Sequence, residues 1–186
     1  RNVHIDLTPS YFYNSTERWD LTSQGIDVEP SKISIDNFLI ARPDQHLVVD
    51  GVASRSYNDS VSLLFNNFDI SGLSVFTERI GYVVEGMFNG YAVAKSVFNK
   101  PEFEASIAID SISVNGLAVA PQHITSSWDK VFNRANIIVR DRGLNKSVVE
   151  GYYSPTENSY SADLTIANAD IDLLNLFLKS VLKDME

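Results

Sequence analysis

A three-residue pattern recurs along this chain and each time closes an apolar-rich, strand-like run. Residues 49–51, 84–86 and 149–151 each read Val, then Asp or Glu, then Gly. The first and third copies continue alike, through a polar turn and a second strand-like run, to residues 67–76 and 168–177. Repetition of a unit in which strand follows strand predicts a stacked, elongated β architecture rather than a globule around one catalytic cleft.

The repeat suggests one module with an internal duplication. We expect a single β-rich module over residues 1–186, with the repeat at approximately 31–80 and 134–184. A glycine that recurs within a strand predicts a bulge or a close approach of the neighbouring backbone. The sheet is therefore expected to bend at the same place in each unit, and we interpret these glycines as part of the scaffold.

Alternation of apolar and polar residues predicts the strands. Residues 32–36, 61–65 and 103–110 alternate with period two, which is typical of strands with one wet face. Turn-forming residues separate such runs at 42–44, 57–59, 99–101, 115–116, 142–143 and 154–158. This spacing suits hairpins and leaves little room for crossover helices. We therefore predict a mainly β fold with an elongated, antiparallel, repeat-built sheet.

One segment near the C-terminus has helical periodicity instead. Apolar residues follow one another a turn apart at Leu173, Leu174, Phe177, Leu178, Val181 and Leu182. Asp170 or Asp172 is a suitable N-cap, so the pattern predicts an amphipathic helix. The equivalent stretch of the first copy, residues 70–80, is shorter and contains Gly72, which predicts a helix of one or two turns at most.

Charge and composition exclude several classes of protein. A net charge of -9 with 15 scattered Lys and Arg residues argues against a nucleic-acid surface, because phosphates require clustered cations. The absence of cysteine removes thiolate metal sites, disulfides and cysteine nucleophiles. The chain begins at Arg1 and has no apolar run of about 18 residues, so we expect a piece of a longer protein whose targeting signals lie elsewhere.

No arrangement of residues points to catalysis. His4, His46 and His123 are far apart and lack a second ligand at metal spacing, and no Gly-x-Ser-x-Gly elbow or Gly-rich phosphate loop is present. Asp69 and Asp170 occupy matching repeat positions that suit helix capping. We therefore expect a protein that is not an enzyme, with no catalytic residues, cofactor-binding residues or metal ligands.

Aromatic residues leave a different function open. Trp19, Trp128, Tyr11 and Tyr13 could stack on a sugar ring, although aromatics at strand positions are more often packing or edge residues. A carbohydrate-binding or surface adhesion β-module is therefore the alternative function. It requires an exposed, coplanar set of aromatics with polar neighbours.

Several segments together resemble a known family. The repeated units, residues 32–38, the Ser-Ser-Trp-Asp element at 126–129 and residues 168–174 resemble the AsmA-like proteins of Gram-negative envelopes. Among these, the inner-membrane component of the translocation and assembly module is the nearest in pattern. The likeness is clearest from Lys32 to the C-terminus and consists of loose β patterns.

The resemblance implies a location and a role. Such proteins are periplasmic, anchored in the inner membrane, and folded as a half-pipe or β-taco with an apolar inner face. They are tied to outer-membrane protein assembly and to phospholipid transport between the membranes. The implied partners are an outer-membrane barrel protein, contacted through regions absent here, and phospholipid acyl chains.

An apolar trough would explain lipid passage physically. At roughly 0.8 kcal/mol per CH₂, exposing a sixteen-carbon acyl chain to water costs on the order of 12 kcal/mol. The candidate lining residues come from the predicted strands: Ile33, Ile35, Val61, Leu63, Phe65, Phe103, Ile107, Ile109, Ile137, Val139, Leu164 and Ile166. The same residues could instead fill a closed core, and the sequence leaves both arrangements open.

Overall fold

The computed structural model describes residues 2–14, 17–71, 83–144 and 146–165. These residues form one antiparallel sheet of 14 strands, and they contain no α-helix. The two edges of the sheet do not pair with each other, so the sheet is open. The prediction of a mainly β, antiparallel fold is confirmed.

The strands are long in the middle of the sheet and short at its beginning. In chain order they are β1 (Val3–Ile5), β2 (Ser10–Asn14), β3 (Glu17–Thr22), β4 (Gly25–Glu29), β5 (Lys32–Arg42), β6 (Gln45–Ser54), β7 (Ser60–Asp69), β8 (Val84–Lys95), β9 (Glu102–Val114), β10 (Leu117–Ala118), β11 (Gln122–Asp129), β12 (Arg134–Asp141), β13 (Lys146–Ser154) and β14 (Ser159–Leu164).

The chain runs through the sheet mostly as a meander. Strands β5 to β9 are consecutive neighbours, and β11 to β14 continue the sheet beyond β9. Two strands share one side of β5: β4 pairs with its first half and β3 with its second half. Strand β1 extends the sheet beyond β4, and β2 extends it beyond β3. Among the described strands, one edge is thus formed by β1 and β2 and the other by β14.

The turns lie where the sequence predicts them. Residues 43–44 connect β5 to β6, and residues 155–158 connect β13 to β14. Between β9 and β10, Asn115 and Gly116 have φ angles of 50° and 77°. A two-residue turn with positive φ at both positions matches the right-handed twist of the flanking strands, which is why Asn-Gly is favoured there.

Two bulges in the sheet are built alike. Asn37 in β5 and Asn67 in β7 both have a φ angle of 45°, at points where the pairing register shifts. The Asn37 N–H donates to Oδ1 of Asp50 at 3.0 Å, and the Asn67 N–H donates to Oδ1 of Asn89 at 2.8 Å. A side chain on the next strand thus satisfies a backbone donor that the ladder leaves unpaired.

Two of the recurring glycines lie where neighbouring strands approach closely, and the third lies at a shift in register. A Cβ atom at Gly51 would overlap the carbonyl oxygen of Ser60, and one at Gly151 would overlap that of Ser161. Gly86 lies where the register between β8 and β9 shifts. The prediction that the recurring glycine marks a bulge or a close backbone approach is confirmed.

The strand order is alike around two of the recurring glycines, although the internal repeat stays a prediction. Strands β5, β6 and β7 follow one another as β12, β13 and β14 do, and Gly51 and Gly151 occupy matching positions in β6 and β13. The predicted C-terminal helix and nearly all of the short helix at 70–80 lie outside the described residues. No helix within the described ranges is long and apolar enough to span a membrane.

Candidate functional site

The register of the sheet collects apolar side chains on one face, which we call the inner face. Directly paired residues of antiparallel strands point to the same side. One row begins with Ile35 on β5 and passes through Gly51, Val61, Ala94 and Phe103 on the next four strands. The inner face is thus continuous across β5 to β9.

A second row continues this face to the far side of the sheet. Phe65 on β7 pairs with Gly90, which pairs with Ile107 on β9. The row then passes through Ile124 on β11 and Val139 on β12. The inner face therefore extends beyond β9 across two more strands, β11 and β12, without changing sides.

The structure brings together most of the residues that the sequence predicts as a trough. Ten of them lie on the inner face: Ile33, Ile35, Val61, Leu63, Phe65, Phe103, Ile107, Ile109, Ile137 and Val139. Leu164 pairs with Val149, which pairs with Val139, so its backbone lies in the same row. Ile166 lies outside the described residues. Their function as a lining stays a prediction.

Sequence reasoning missed several members of the inner face. Phe38 and Phe68 belong to it because each follows a bulge, which shifts the alternation by one residue. The repeated Asn-Phe pair, at residues 37–38 and 67–68, is the signal that could have revealed them. Ile124 was missed because the other inner-face positions of its strand include Gln122 and Ser126.

The inner face is only partly covered. Among the described residues, the buried apolar side chains are Trp19, Ala53, Ile70, Ile109 and Ala135. The other apolar side chains on the inner face of β5 to β9 are half-buried. All described strands belong to a single sheet, so no second sheet among them packs on this face. A closed core between two layers would bury many more of these side chains.

The opposite face, here the outer face, is polar. One of its rows contains Asp50, Ser62, Val93 and Glu104 on four consecutive strands. By contrast, the positions in the middle of the inner face from β5 to β13 carry no charged side chain. This separation is typical of an antiparallel sheet with one face in water.

Aromatic rings line one end of the inner face. Phe65 contacts Phe88 with ring centroids 5.7 Å apart, and Phe65 contacts Phe68 at 6.1 Å. Trp19 contacts Phe68 at 5.5 Å and stacks on Phe12 at 6.4 Å. Trp19 lies on β3 and Phe68 on β7, with β5 and β6 between them. The sheet therefore curves toward its inner face at this end.

The charges of the inner face lie at this same end. Arg42, at the end of β5, extends over the Trp19 ring with its guanidinium carbon 5.0 Å from the ring centroid, and it forms an ion pair with Glu17. Gln45, at the start of β6, is 7% exposed and accepts a hydrogen bond from the Asp69 N–H. Asp141, on β12, accepts the N–H groups of the following turn.

The outer face holds a serine and a histidine within hydrogen-bond distance. Ser106 Oγ lies 3.0 Å from His123 Nε2, across β9 and β11. No carboxylate among the described residues bonds to His123, so a third group that would orient the imidazole is missing there. Likewise, no cluster of His, Asp and Glu that could hold a metal ion occurs within the described ranges.

The edge strand β1 is held by an imidazole between two carboxylates. His4 Nδ1 lies 2.6 Å from Oδ1 of Asp27, and His4 Nε2 lies 3.1 Å from Oδ1 of Asp6. The hydrogen bond with Asp27, followed by that with Asp6, raises the pKa of His4 above its ordinary value of 6.5. All three groups are on the outer face or in solvent, away from the inner face.

Within the described residues, fold and site together define a class of protein: a mainly β fold with one open antiparallel sheet that has one apolar and one polar face. Comparison of the chain with protein-family models, with curated proteins and with solved structures finds no match.

Proposed function

We propose that this chain is a non-enzymatic periplasmic segment of an AsmA-like, TamB-like bridge between the inner and outer membranes. In this proposal the inner face shields the acyl chains of phospholipids during transport between the two membranes. A further role of the same bridge is assembly of outer-membrane proteins together with an outer-membrane barrel partner. The family resemblance of the sequence supports the location and the partner.

The continuous apolar inner face is the observation that carries the proposal. An apolar face that is half-buried, with no second sheet of the described strands packed on it, is typical of a surface that meets apolar material. Exposure of a sixteen-carbon acyl chain to water costs on the order of 12 kcal/mol. Transport of a phospholipid through an aqueous compartment therefore requires an unbroken apolar path. The rows through Ile35 and Phe65 supply such a path across the strands of the sheet.

Curvature of the sheet supports a half-pipe shape. The contact between Trp19 and Phe68 brings together side chains whose strands are separated by two others. Bulges at Asn37 and Asn67 increase the local bend and twist of their strands. A curved sheet with its apolar side on the inside would enclose an acyl chain without requiring a second layer.

The aromatic residues give little support to the alternative of a carbohydrate-binding or adhesion module. Tyr11 and Tyr13 are exposed, but their rings meet edge to face, with an interplanar angle of 84°. Trp19 is buried, and Trp128 packs against Phe103 with ring centroids 6.4 Å apart. A sugar-binding platform needs coplanar exposed rings, which these four residues do not form.

Lipid co-purification tests the proposal. We would express the chain in a Gram-negative host, purify it without detergent and measure bound lipid by native and denaturing mass spectrometry. We expect phospholipid in stoichiometric amount, and its loss in the variants Leu63→Asp and Ile107→Asp, since a buried carboxylate would interrupt the apolar path.

Leu64 offers a matched control for these variants. It follows Leu63 on β7 but points to the outer face and is 50% exposed. Leu64→Asp should retain lipid, and circular dichroism should show that all three variants fold. A well-folded, lipid-free parent protein would refute the lipid proposal, and equal lipid content in the Leu63→Asp and Leu64→Asp variants would show that the inner face does not hold it.

A further inference from the structure

A depression of about 500 Å³ opens at the charged end of the inner face. It is lined by residues from β3, from the end of β5, from the following turn and from the start of β6: Glu17, Arg18, Arg42, Pro43, Asp44 and Gln45. This volume lies within the range of small-molecule sites in proteins, roughly 300–1,000 Å³.

The depression contains side chains of both charges. Glu17 and Asp44 supply two carboxylates, and Arg18 and Arg42 supply two guanidinium groups. Arg18 donates through Nε and Nη2 to Asp20, so its charge is largely compensated from outside the depression. Arg42 is the better-positioned cation, because its side chain is only 17% exposed and its planar group lies against Trp19.

The depression adjoins the apolar path. The Trp19 ring lies beneath the guanidinium of Arg42 and contacts Phe68, which belongs to the aromatic row of the inner face. Gln45 is on the inner face two residues before Leu47, in the same strand. A molecule with acyl chains on the inner face could therefore place its polar group among Glu17, Arg42 and Asp44.

We propose that this depression is a subsite for the zwitterionic headgroup of a phospholipid, of the phosphoethanolamine type. The inference deepens the proposed function and rests on it. The phosphate would bind the Arg42 guanidinium by a charge-assisted, bidentate hydrogen bond, and the ammonium would bind the carboxylates of Glu17 and Asp44. In this arrangement the ligand replaces the ion pair of Arg42 with Glu17, and each charged group of the headgroup faces a side chain of opposite charge.

The presence of both charges in the depression favours a zwitterionic headgroup over an anionic one. An anionic headgroup would satisfy Arg42 but would leave Glu17 and Asp44 beside it without a cation. The net charge of -9 on the whole chain adds a long-range repulsion against anionic lipid. The subsite would thus give the inner face a headgroup preference that acyl chains alone cannot provide.

Short-chain lipids with identical acyl chains test this preference. We would measure, by calorimetry, the binding of dihexanoyl phosphatidylethanolamine, dihexanoyl phosphatidylglycerol and chain-free glycerophosphoethanolamine. We expect the ethanolamine lipid to bind about tenfold more tightly than the glycerol lipid, which corresponds to about one charge-assisted hydrogen bond. The chain-free compound should bind much more weakly than either lipid, since it lacks the apolar contacts.

Substitutions test which side chain binds the phosphate and which binds the ammonium group of the headgroup. Arg42→Gln should weaken both lipids about tenfold, and Glu17→Gln should weaken only the ethanolamine lipid, about fivefold. Arg55→Gln and Glu29→Gln, at exposed positions near the other end of the strands, remove the same charges and should leave both affinities unchanged. Urea unfolding of each variant separates lost binding from lost folding.

The outcomes separate this inference from the proposed function. Equal affinity for the two lipids, unaffected by Arg42→Gln, would overturn the headgroup subsite and leave the apolar face as the lipid site. Equal affinity for chain-free and acylated compounds would assign the depression to a soluble zwitterion and overturn the lipid assignment. Absence of binding by every lipid would overturn both the subsite and the proposed function.

Discussion

Trp19 and Phe68 lie in edge-to-face contact, with ring centroids 5.5 Å apart, although two strands separate the strands that carry them. In a flat sheet, three strand spacings would put their backbones roughly 14 Å apart. Curvature and the length of the two side chains together close this gap. The contact therefore holds the first strands of the sheet over the inner face.

Removal of the indole should loosen this end of the sheet. Trp19 is 5% exposed, and we expect Trp19→Ala to lower the free energy of unfolding by about 3 kcal/mol, as is typical for a buried large aromatic. Urea titration measures the change. Tyr57→Ala, at an exposed position in a turn, is the control and should cost less than about 0.5 kcal/mol. Similar losses for the two variants would contradict a packing role for Trp19.

Gly51 should not tolerate a side chain. Its φ angle is 117°, and a Cβ atom would overlap the carbonyl oxygen of Ser60 on the neighbouring strand. We expect Gly51→Ala to destabilise the protein by about 3 kcal/mol. The new side chain would strain the backbone of residue 51 and would also push the neighbouring strand at Ser60 out of its hydrogen-bonded position. Thermal unfolding in the calorimeter measures the effect.

A substitution at Gly116 separates the cost of backbone strain from the cost of steric overlap with a neighbouring strand. Its φ angle is 77°, but no atom lies within 4 Å of the position that its Cβ would occupy. Gly116→Ala should therefore show the conformational cost alone, about 1 kcal/mol. If Gly51→Ala costs no more than Gly116→Ala, close approach of the strands is not what selects glycine in the repeated pattern.

Local patterns in the sequence determine much of this fold. The period-two run around Ile33 and the Asn-Gly pair at 115–116 predict a strand and a hairpin that the structure confirms. The order of the strands follows from short turns, because a short connection can only join antiparallel neighbours. The sequence therefore suffices for the mainly β, antiparallel architecture.

The extent of the apolar face could be predicted only in part. Ile33 and Ile35 share a face by simple alternation, whereas Phe38 shares it only because Asn37 adopts a positive φ. A bulge depends on the partner strand as well as on its own residues, since Asp50 accepts the free N–H. The polar depression was not predicted, because Glu17 and Arg42 are 25 positions apart in sequence and meet only through the pairing of β3 with β5.

The bulge at Asn37 should depend on the acceptor at Asp50. Asp50→Ala leaves the Asn37 N–H without its partner, and we expect a loss of about 1 kcal/mol. Asp50→Asn keeps an acceptor oxygen, as Asn89 does at the second bulge, and should recover most of the stability. Urea unfolding of the two variants compares them, and equal losses would show that the charge of Asp50, rather than its acceptor, is what matters.

The attachment of strand β1 should depend on pH through His4. The pKa of His4 is raised in the folded protein, so protonated His4 stabilises the folded state. This stabilisation is fully present below the ordinary pKa of 6.5 and is lost as the pH rises through the raised pKa of the folded state. Protection of the β1 amides from hydrogen exchange, corrected for the intrinsic exchange rate, should therefore fall on the alkaline side of 6.5. Asp27→Asn should bring the NMR titration of His4 closer to 6.5, since the hydrogen bond with Asp27 is the largest cause of the shift. An unchanged His4 titration in Asp27→Asn would show that this pair does not hold the edge strand.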